Sequence, residues 1–129
     1  MPRLIPFHNT YKATGVSDDQ ARDIVLIHGW GLHAIVFDDI VPALLERFRV
    51  TVVDLPGMGQ SPLPNDPYTL DFLADQVAAV MPARAHLLGW SLGGLVAFGW
   101  RWITRTGCNR WSRWPPRRAS PPPTTGRRR

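Results

Sequence analysis

Residues 86–94, His-Leu-Leu-Gly-Trp-Ser-Leu-Gly-Gly, decide the fold because they place a G-x-S-x-G motif directly after a short aliphatic segment. Residues 86–88 predict a strand, and the apolar run at residues 92–98 can open a helix. Glycines on both sides of Ser91 remove side chains that would clash in a sharp strand-to-helix turn, and such a turn exposes the serine between them. We predict that Ser91 is a nucleophile held at the end of a strand.

A simpler interpretation is that the glycines only mark a tight turn and that Ser91 caps a helix. The motif alone is weak evidence, since three fixed positions at roughly 7% each over about 125 windows occur by chance in about 4% of such chains. A second feature favours catalysis, because His28-Gly29-Trp30-Gly31 follows another aliphatic run at residues 24–27. Backbone N–H groups in that loop can face a developing oxyanion, and we predict the amides of Trp30 and Leu92 as the two donors.

Three short runs of β-branched and aliphatic residues predict the strands of a sheet. They lie at residues 24–27, 49–54 and 86–88, and each is closely followed by glycine or proline. A fourth candidate strand, residues 4–7, contains Pro6 and would suit only a sheet edge. Helical patterns separate the three main strands, so the order βαβαβ predicts a parallel α/β sheet.

Two helices are predicted between these strands. Apolar positions recur every three or four residues from 37 to 48, where Pro42 fits the first turn of a helix and Asp38-Asp39 fits its N-terminus. The second helix begins after Thr69, whose hydroxyl can cap it, and Pro82 ends it.

The chain divides into two segments of opposite charge, although its formal net charge is +5. Residues 1–98 contain six Lys or Arg and ten acids, a net charge of −4. Residues 99–129 contain nine Arg and no acid, and their Trp and Pro residues show neither helical nor strand periodicity. We predict a partial domain at residues 1–98 and a basic, disordered tail at residues 99–129.

The composition also excludes several classes of protein. There is no run of about 18 apolar residues that would predict a membrane span, and the N-terminus lacks the basic start and apolar stretch of a signal peptide. Cys108 is the single cysteine, so neither an intrachain disulfide nor a cysteine metal cluster can form. We expect a cytoplasmic protein without a metal, a cofactor or a membrane partner.

Three stretches, His-Gly-Trp-Gly-Leu at 28–32, Asp-Leu-Pro-Gly-Met-Gly-Gln-Ser at 54–61 and Gly-Trp-Ser-Leu-Gly-Gly at 89–94, resemble the α/β-hydrolase superfamily. The two stretches that contain Trp are similar to a family of carboxylesterases within it, which hydrolyse the methyl ester of pimeloyl-acyl-carrier protein in biotin synthesis. The resemblance covers residues 22–97. It implies the N-terminal half of an α/β-hydrolase fold, because a complete domain of this kind needs about 200 to 250 residues.

The resemblance also implies a mechanism. Ser91 attacks the methyl ester carbonyl, Trp30 and Leu92 bind the oxyanion, and water releases a pimeloyl carboxylate still attached to its carrier protein. No cofactor is needed, and the implied partner is an ester substrate on acyl carrier protein. Such hydrolases also use an acid and a His base that follow the serine in the chain, yet residues 92–129 contain no Asp, Glu or His.

Three of the four histidines before Ser91 have structural interpretations. His28 shapes the loop after its strand, His33 lies in the loop before a helix, and His86 lies on a strand five residues before the serine. Without a base, a serine hydrolase still accelerates the reaction about 10³- to 10⁴-fold over water, but its kcat falls by about 10⁶. We therefore expect the 129-residue chain to be a very poor esterase.

A shift of reading frame can account for the basic tail. With arginine codons of the CGN type, the neighbouring frame of residues 100–109 permits Leu-Ala-Leu-Asp-Tyr-Pro-Asp-Arg-Val-Gln, which resembles a helix and turn of the superfamily. The first Ala and the first Asp of that peptide are forced under this assumption. Residues 111–120 likewise permit Leu-Val-Thr-Val-Ala-Ser-Ser-Pro-Cys-Phe, which resembles the next strand. We hypothesise a one-base deletion near residues 95–97.

Two alternatives stay open. The chain can represent another group of α/β-hydrolases, such as general esterases, lactonases or haloperoxidases, and substrate profiling separates these groups. A different class is a nucleic-acid-binding protein in which Arg and Trp of the tail bind phosphate and stack on bases. Salt-dependent binding that is lost on deleting residues 99–129 would support that class, whereas the frameshift hypothesis predicts no nucleic-acid partner.

Overall fold

The computed structural model describes residues 5–103 and shows a four-stranded sheet with helices on both faces. The strands, in chain order, are β1 (His8–Tyr11), β2 (Arg22–Ile27), β3 (Phe48–Val53) and β4 (His86–Gly89). The helices are a 3₁₀ turn at Ala34–Phe37, α1 (Val41–Leu44), α2 (Leu70–Ala78) and α3 (Leu92–Ile103). β2 pairs in parallel with β3 and β4, while β1 pairs antiparallel with β3. The predicted parallel α/β core is confirmed.

β2 lies between the other two parallel strands, because the spatial order of the sheet is β1-β3-β2-β4. Residues 24–27 of this strand are all buried, which explains why they form a continuous aliphatic run. Ile27 pairs with Val53 on β3 and with Gly89 on β4. Since the three strands run parallel and end at paired positions, the residues that follow them meet at one edge of the sheet.

The side chains of the strands alternate between two apolar cores. The core under α2 and α3 contains Val25, Ile27, Val53, Leu55, Leu73, Val77, Val96 and Ala97. The core under the 3₁₀ turn and α1 contains Ile24, Leu26, Phe37, Val41, Val50 and Val52. Because α3 contributes Val96 and Ala97 to the first core, the helix that follows Ser91 is packed firmly on the sheet.

The prediction of one helix over residues 37–48 is wrong. Phe37 ends the 3₁₀ turn, α1 is only one turn long, and Phe48 already begins β3. Pro42 does lie in the first turn of α1, but its ring clashes with the carbonyl four residues earlier in a helix, so α1 cannot extend upstream. Asp38-Asp39 consequently precedes α1, whose first turn has no acid. The apolar spacing misled because a 3₁₀ turn followed by an α-turn buries the same side of the segment.

The remaining elements lie close to their predicted positions. β1 begins at His8, so the strand predicted at residues 4–7 is wrong in position, although β1 does form a sheet edge. α2 begins after Thr69 as predicted, and the Thr69 hydroxyl accepts a hydrogen bond of 3.1 Å from the Phe72 N–H. The helix ends before Pro82 is reached, with Ala79 as its C-cap.

The predicted domain boundary at residue 98 falls inside α3, which continues to Ile103. Residues 104–129, the rest of the predicted tail, lie outside the described residues. Among the helices of residues 5–103, none combines the length and the apolar composition that a membrane crossing requires.

Candidate active site

The carboxyl edge of the sheet gathers the three sequence stretches on which the functional prediction depends. His28 directly follows β2 and Asp54 directly follows β3. Ser91 is separated from β4 by a single residue. The pairing of the strand ends brings these loops together, although up to 63 positions separate them in the chain. Open α/β sheets bind their ligands at this edge.

Ser91 occupies a strained turn between β4 and α3. Its φ of 52° lies in the left-handed region, and no other non-glycine residue among residues 5–103 has a positive φ. The turn is closed by hydrogen bonds to the Ser91 carbonyl from the N–H groups of Gly94 (2.9 Å) and Leu95 (3.3 Å). The Ser91 residue is exposed, so a substrate can reach it. The sharp turn predicted from the motif is present.

Glycine is required on both sides of this turn because other backbone segments of the chain lie too close for a side chain. A Cβ on Gly93 would collide with the Ile27 carbonyl, and a Cβ on Gly89 would collide with the backbone of Gly93. The Trp90 N–H also donates to the Ile27 carbonyl at 3.0 Å. The turn is therefore locked against the end of β2 by contacts that only glycine permits.

The two predicted oxyanion donors lie on neighbouring loops. Leu92 is the first residue of α3, where backbone N–H groups have no acceptor within the helix. Trp30 lies in the loop after β2, next to Gly29, on which an ideal Cβ would lie 3.4 Å from the Ser91 Cβ. Within residues 5–103, the N–H groups of Trp30 and Leu92 donate to no protein acceptor. This leaves both free to bind an oxyanion, and their role stays a prediction.

His28 is fully buried and both of its ring nitrogens are engaged. Its Nε2 accepts a hydrogen bond of 2.9 Å from the Leu55 N–H, so the proton of the neutral ring resides on Nδ1 and is donated to the Gly29 carbonyl at 2.7 Å. Burial lowers the pKa of His28, and the nearby His33 lowers it further, while the Gly29 carbonyl and Asp54 oppose this shift. The ring is neutral and has no nitrogen left to act as a base, in agreement with its predicted structural role.

Among residues 5–103, no hydrogen bond joins His33 or His86 to Ser91. His33 flanks the 3₁₀ turn and is exposed, with no hydrogen bond from its side chain to the backbone of that turn. His86 begins β4, at the end of the strand opposite to Ser91, and its ring packs edge-on against Phe48 with centroids 5.6 Å apart. Neither position supplies the base of a serine hydrolase.

Asp54 is a site residue whose role the sequence did not reveal. Its buried carboxylate accepts hydrogen bonds from the Ala34 N–H (2.7 Å) and from the Gln60 N–H (2.9 Å). Ser61 reinforces the same loop, because its hydroxyl donates to the Asp54 carbonyl. Asp54 thus joins the loops after β2 and β3. A signal was available, since glycine at 59 in a Gly-Met-Gly turn after an aspartate indicates a close backbone approach, and a Cβ there would collide with the carboxylate.

Exposed aromatic side chains lie on the loops beside the serine turn. Trp30 is 69% exposed and packs edge-on against Tyr68, with ring centroids 5.7 Å apart. The Tyr68 hydroxyl donates to the Pro56 carbonyl at 2.8 Å, and burial raises the pKa of Tyr68. Trp90, directly before Ser91, is 66% exposed. Among residues 5–103, no three His, Cys, Asp or Glu side chains are grouped to hold a metal ion.

A parallel βαβ core with a serine on a strained strand-to-helix turn has the architecture of an α/β-hydrolase. The chain belongs to the α/β hydrolase family, whose sequence model matches residues 24–124. It is 58% identical over 79 residues to a pimeloyl-acyl-carrier-protein methyl ester esterase from Aeromonas hydrophila, a match that covers 60% of this chain and 31% of the relative. An esterase of the same name from Edwardsiella ictaluri is 55% identical over 76 residues, which are 59% of this chain and 29% of the relative.

The fold is also similar to solved structures of hydrolases. The enol-lactonase from Burkholderia xenovorans superimposes with a TM-score of 0.63 and 32% sequence identity, over 70% of this chain and 35% of the lactonase. The chain spans about a third of the length of these relatives. Sequence and structural similarity thus agree on the hydrolase family.

Proposed function

We propose that Ser91 is the nucleophile of a serine carboxylesterase that acts on the methyl ester of pimeloyl-acyl-carrier protein. The observation that carries this proposal is the left-handed φ of 52° at Ser91, which holds an exposed hydroxyl beside two free backbone N–H groups. Natural proteins retain such strain where it serves a function. The substrate is inferred from the names of the similar esterases from Aeromonas and Edwardsiella.

In the proposed reaction, the Ser91 Oγ attacks the ester carbonyl and the N–H groups of Trp30 and Leu92 stabilise the oxyanion. Methanol leaves, an acyl-serine forms, and water hydrolyses this intermediate to the free carboxylic acid. The serine proton must pass to a base, and neither His28, whose nitrogens are both engaged, nor any residue after Ser91 in the 129-residue chain can accept it. We therefore propose that these residues alone turn over about 10⁶ more slowly than a complete triad.

The exposed aromatic side chains beside the serine turn support an apolar acyl chain as the substrate. Trp30 and Trp90 both expose more than half of their surface beside the serine turn. The charge of the chain does not point to a carrier protein, because residues 1–98 have a net charge of −4 and their sequence shows no basic patch that would bind an acidic partner. The carrier is inferred from the names of the relatives alone.

A chimaera tests the proposal. The 79-residue segment of the Aeromonas hydrophila esterase that matches this chain is exchanged for the matching residues of this chain, so that the relative supplies the rest of its own domain. We expect kcat/KM for the methyl ester within about tenfold of the parent enzyme and a loss of about 10⁶ in kcat for the Ser91→Ala chimaera. A folded chimaera that hydrolyses no ester, or that keeps its activity without the Ser91 hydroxyl, would refute the proposal.

Enol-lactone hydrolysis is a second candidate, which the 32% identity to the Burkholderia enol-lactonase favours. A reciprocal chimaera, with the same residues placed in that lactonase, separates the two functions. If these residues retain methyl ester hydrolysis in the first scaffold but abolish lactone hydrolysis in the second, the esterase is correct. The opposite pattern identifies a lactonase.

A further inference from the structure

The peptide group between Gly29 and Trp30 is held from one side only. This bond is trans, so the Gly29 carbonyl and the Trp30 N–H lie in one plane and point in opposite directions. The carbonyl accepts hydrogen bonds from the His28 Nδ1–H at 2.7 Å and from the Leu32 N–H at 3.2 Å. Because the carbonyl is fixed, the direction of the Trp30 N–H is fixed as well.

His28 can hold this carbonyl because the ring is itself anchored. The Leu55 N–H donates to Nε2 at 2.9 Å, across 27 positions of the chain, and links the ring to the segment after β3. The ring is fully buried, so water does not compete for either nitrogen. A donor to Nε2 also selects the tautomer with its proton on Nδ1, which is the tautomer that the Gly29 carbonyl requires.

We propose that His28 is a positioning residue for the oxyanion site, whose neutral ring holds the Gly29–Trp30 peptide so that the Trp30 N–H stays directed at the reacting carbonyl oxygen. The proposal rests on the oxyanion role proposed above for that N–H. The peptide lies where this matters, because an ideal Cβ on Gly29 would be only 3.4 Å from the Ser91 Cβ. His28 acts through the backbone and contacts no substrate.

Two substitutions separate the two hydrogen bonds of the ring. In His28→Asn, the side-chain amide N–H can replace Nδ1–H as the donor to the Gly29 carbonyl, but nothing replaces Nε2. In His28→Gln, the longer side chain can place its oxygen near Nε2 and accept from the Leu55 N–H, but the donor to the Gly29 carbonyl is lost. Both variants lack the ring, so a general packing role affects them alike.

The first readout is the orientation of two backbone N–H groups in the ¹⁵N-labelled 129-residue chain, measured as residual dipolar couplings. In His28→Gln, we expect the Trp30 coupling to change and the Leu55 coupling to be retained. In His28→Asn, we expect the reverse. Couplings from β2 and β3 serve as the folding control. A Trp30 coupling that is unchanged in His28→Gln, or that changes equally in both variants, overturns the proposal.

A measurement on the unsubstituted chain covers the case in which both variants unfold. Long-range ¹H–¹⁵N correlations of the His28 ring should show the proton on Nδ1. A proton on Nε2 would remove the donor to the Gly29 carbonyl and overturn the proposal without any substitution.

The second readout is the rate at which a fluorophosphonate labels Ser91 in the chimaera with the Aeromonas hydrophila esterase, in which the relative supplies the rest of the domain, followed by intact-protein mass spectrometry with the Ser91→Ala chimaera as the blank. Loss of one oxyanion donor lowers kcat by about 10²- to 10³-fold. A misdirected Trp30 N–H in His28→Gln should therefore slow labelling by about tenfold or more. His28→Asn, which keeps the donor to the Gly29 carbonyl, should restore the labelling rate. If the Trp30 coupling changes while labelling does not, His28 positions the peptide and the proposed oxyanion role of Trp30 is wrong. If both change together, both proposals are supported.

Discussion

Two loops at the same sheet edge are fixed in different ways. The loop after β2, which carries Trp30, is held by buried side chains, with His28 bonded to the Gly29 carbonyl and Asp54 bonded to the Ala34 N–H. The turn after β4, which carries Ser91, is held by backbone hydrogen bonds and by glycines against which no side chain fits. The loop after β2 depends on polar side-chain atoms that form hydrogen bonds. The turn after β4 depends on the absence of side chains at its glycines.

This difference predicts different sensitivities. Removing a polar atom or adding a proton should disturb the loop after β2, because buried donors would lose their acceptors. Adding a single carbon should disturb the turn after β4, because the neighbouring backbone cannot move away. Single substitutions can therefore disturb the loop after β2 and the turn after β4 separately.

The largest expected effect is that of Gly93→Ala. The new Cβ would collide with the Ile27 carbonyl of β2, and relief requires the turn to separate from that strand. We expect a loss of about 3 kcal/mol in the free energy of unfolding, measured by urea denaturation. Gly94→Ala is the matched control, because its Cβ would lie 3.5 Å from the Gly89 carbonyl, an ordinary contact, and alanine favours a helix. Equal stability of the two variants would show that the turn is not locked by glycine.

The second effect concerns Asp54→Asn in the loop after β2. The amide presents a donor where the carboxylate accepted, so either the Ala34 or the Gln60 N–H loses its buried acceptor. We expect a loss of about 2 kcal/mol in the free energy of unfolding, together with slower fluorophosphonate labelling of Ser91 when the substitution is made in the chimaera. Asp39→Asn, at an exposed position, is the control and should be neutral. An Asp54 variant as stable as the control would mean that the carboxylate does not join the loops.

The sequence predicted the turn after β4 more fully than the loop after β2, and the reason is physical. The strands at 24–27 and 86–88 are recognisable from their composition, and the glycines around Ser91 form a short local motif, although the contact of Gly93 with the Ile27 carbonyl is long-range. The structure extends these strands to Arg22–Ile27 and His86–Gly89. The helix predicted over residues 37–48 failed because its spacing fits two short helical turns as well as one helix.

The role of Asp54 escaped prediction because its partners are defined only by the tertiary fold. The carboxylate bonds the N–H of Ala34, 20 positions earlier, and backbone donors carry no sequence signature. His28 illustrates the same limit. Its position after β2 predicted a structural role, but the Leu55 N–H that selects its tautomer is 27 positions away. The roles of Ser91, Trp30 and Leu92 stay predictions, since their test is chemical.

A smaller effect should appear as a pH dependence of stability. Burial lowers the pKa of His28 below its ordinary value of 6.5, so the unfolded chain binds a proton at this residue before the folded chain does. The contribution of His28 is therefore fully present above pH 6.5 and is lost as the pH falls towards its folded-state pKa. Urea denaturation from pH 8 to pH 5 should show this loss in the unsubstituted chain. In His28→Asn the fall should be smaller; an identical fall would exclude His28 as its source.

The smallest effect compares Ser91→Gly with Ser91→Ala. Both variants lack the hydroxyl and should not react with a fluorophosphonate, but only glycine adopts a φ of 52° without strain. Against this gain stands the greater backbone entropy that glycine has in the unfolded chain, so we expect Ser91→Gly to be the more stable by about 1 kcal/mol. Urea denaturation of the pair measures the difference, and the unsubstituted chain should resemble Ser91→Ala because serine carries the same Cβ. If Ser91→Gly is the less stable variant, the turn stores no strain at this residue, and exposure of the hydroxyl then depends on the glycine contacts around Gly89 and Gly93 alone.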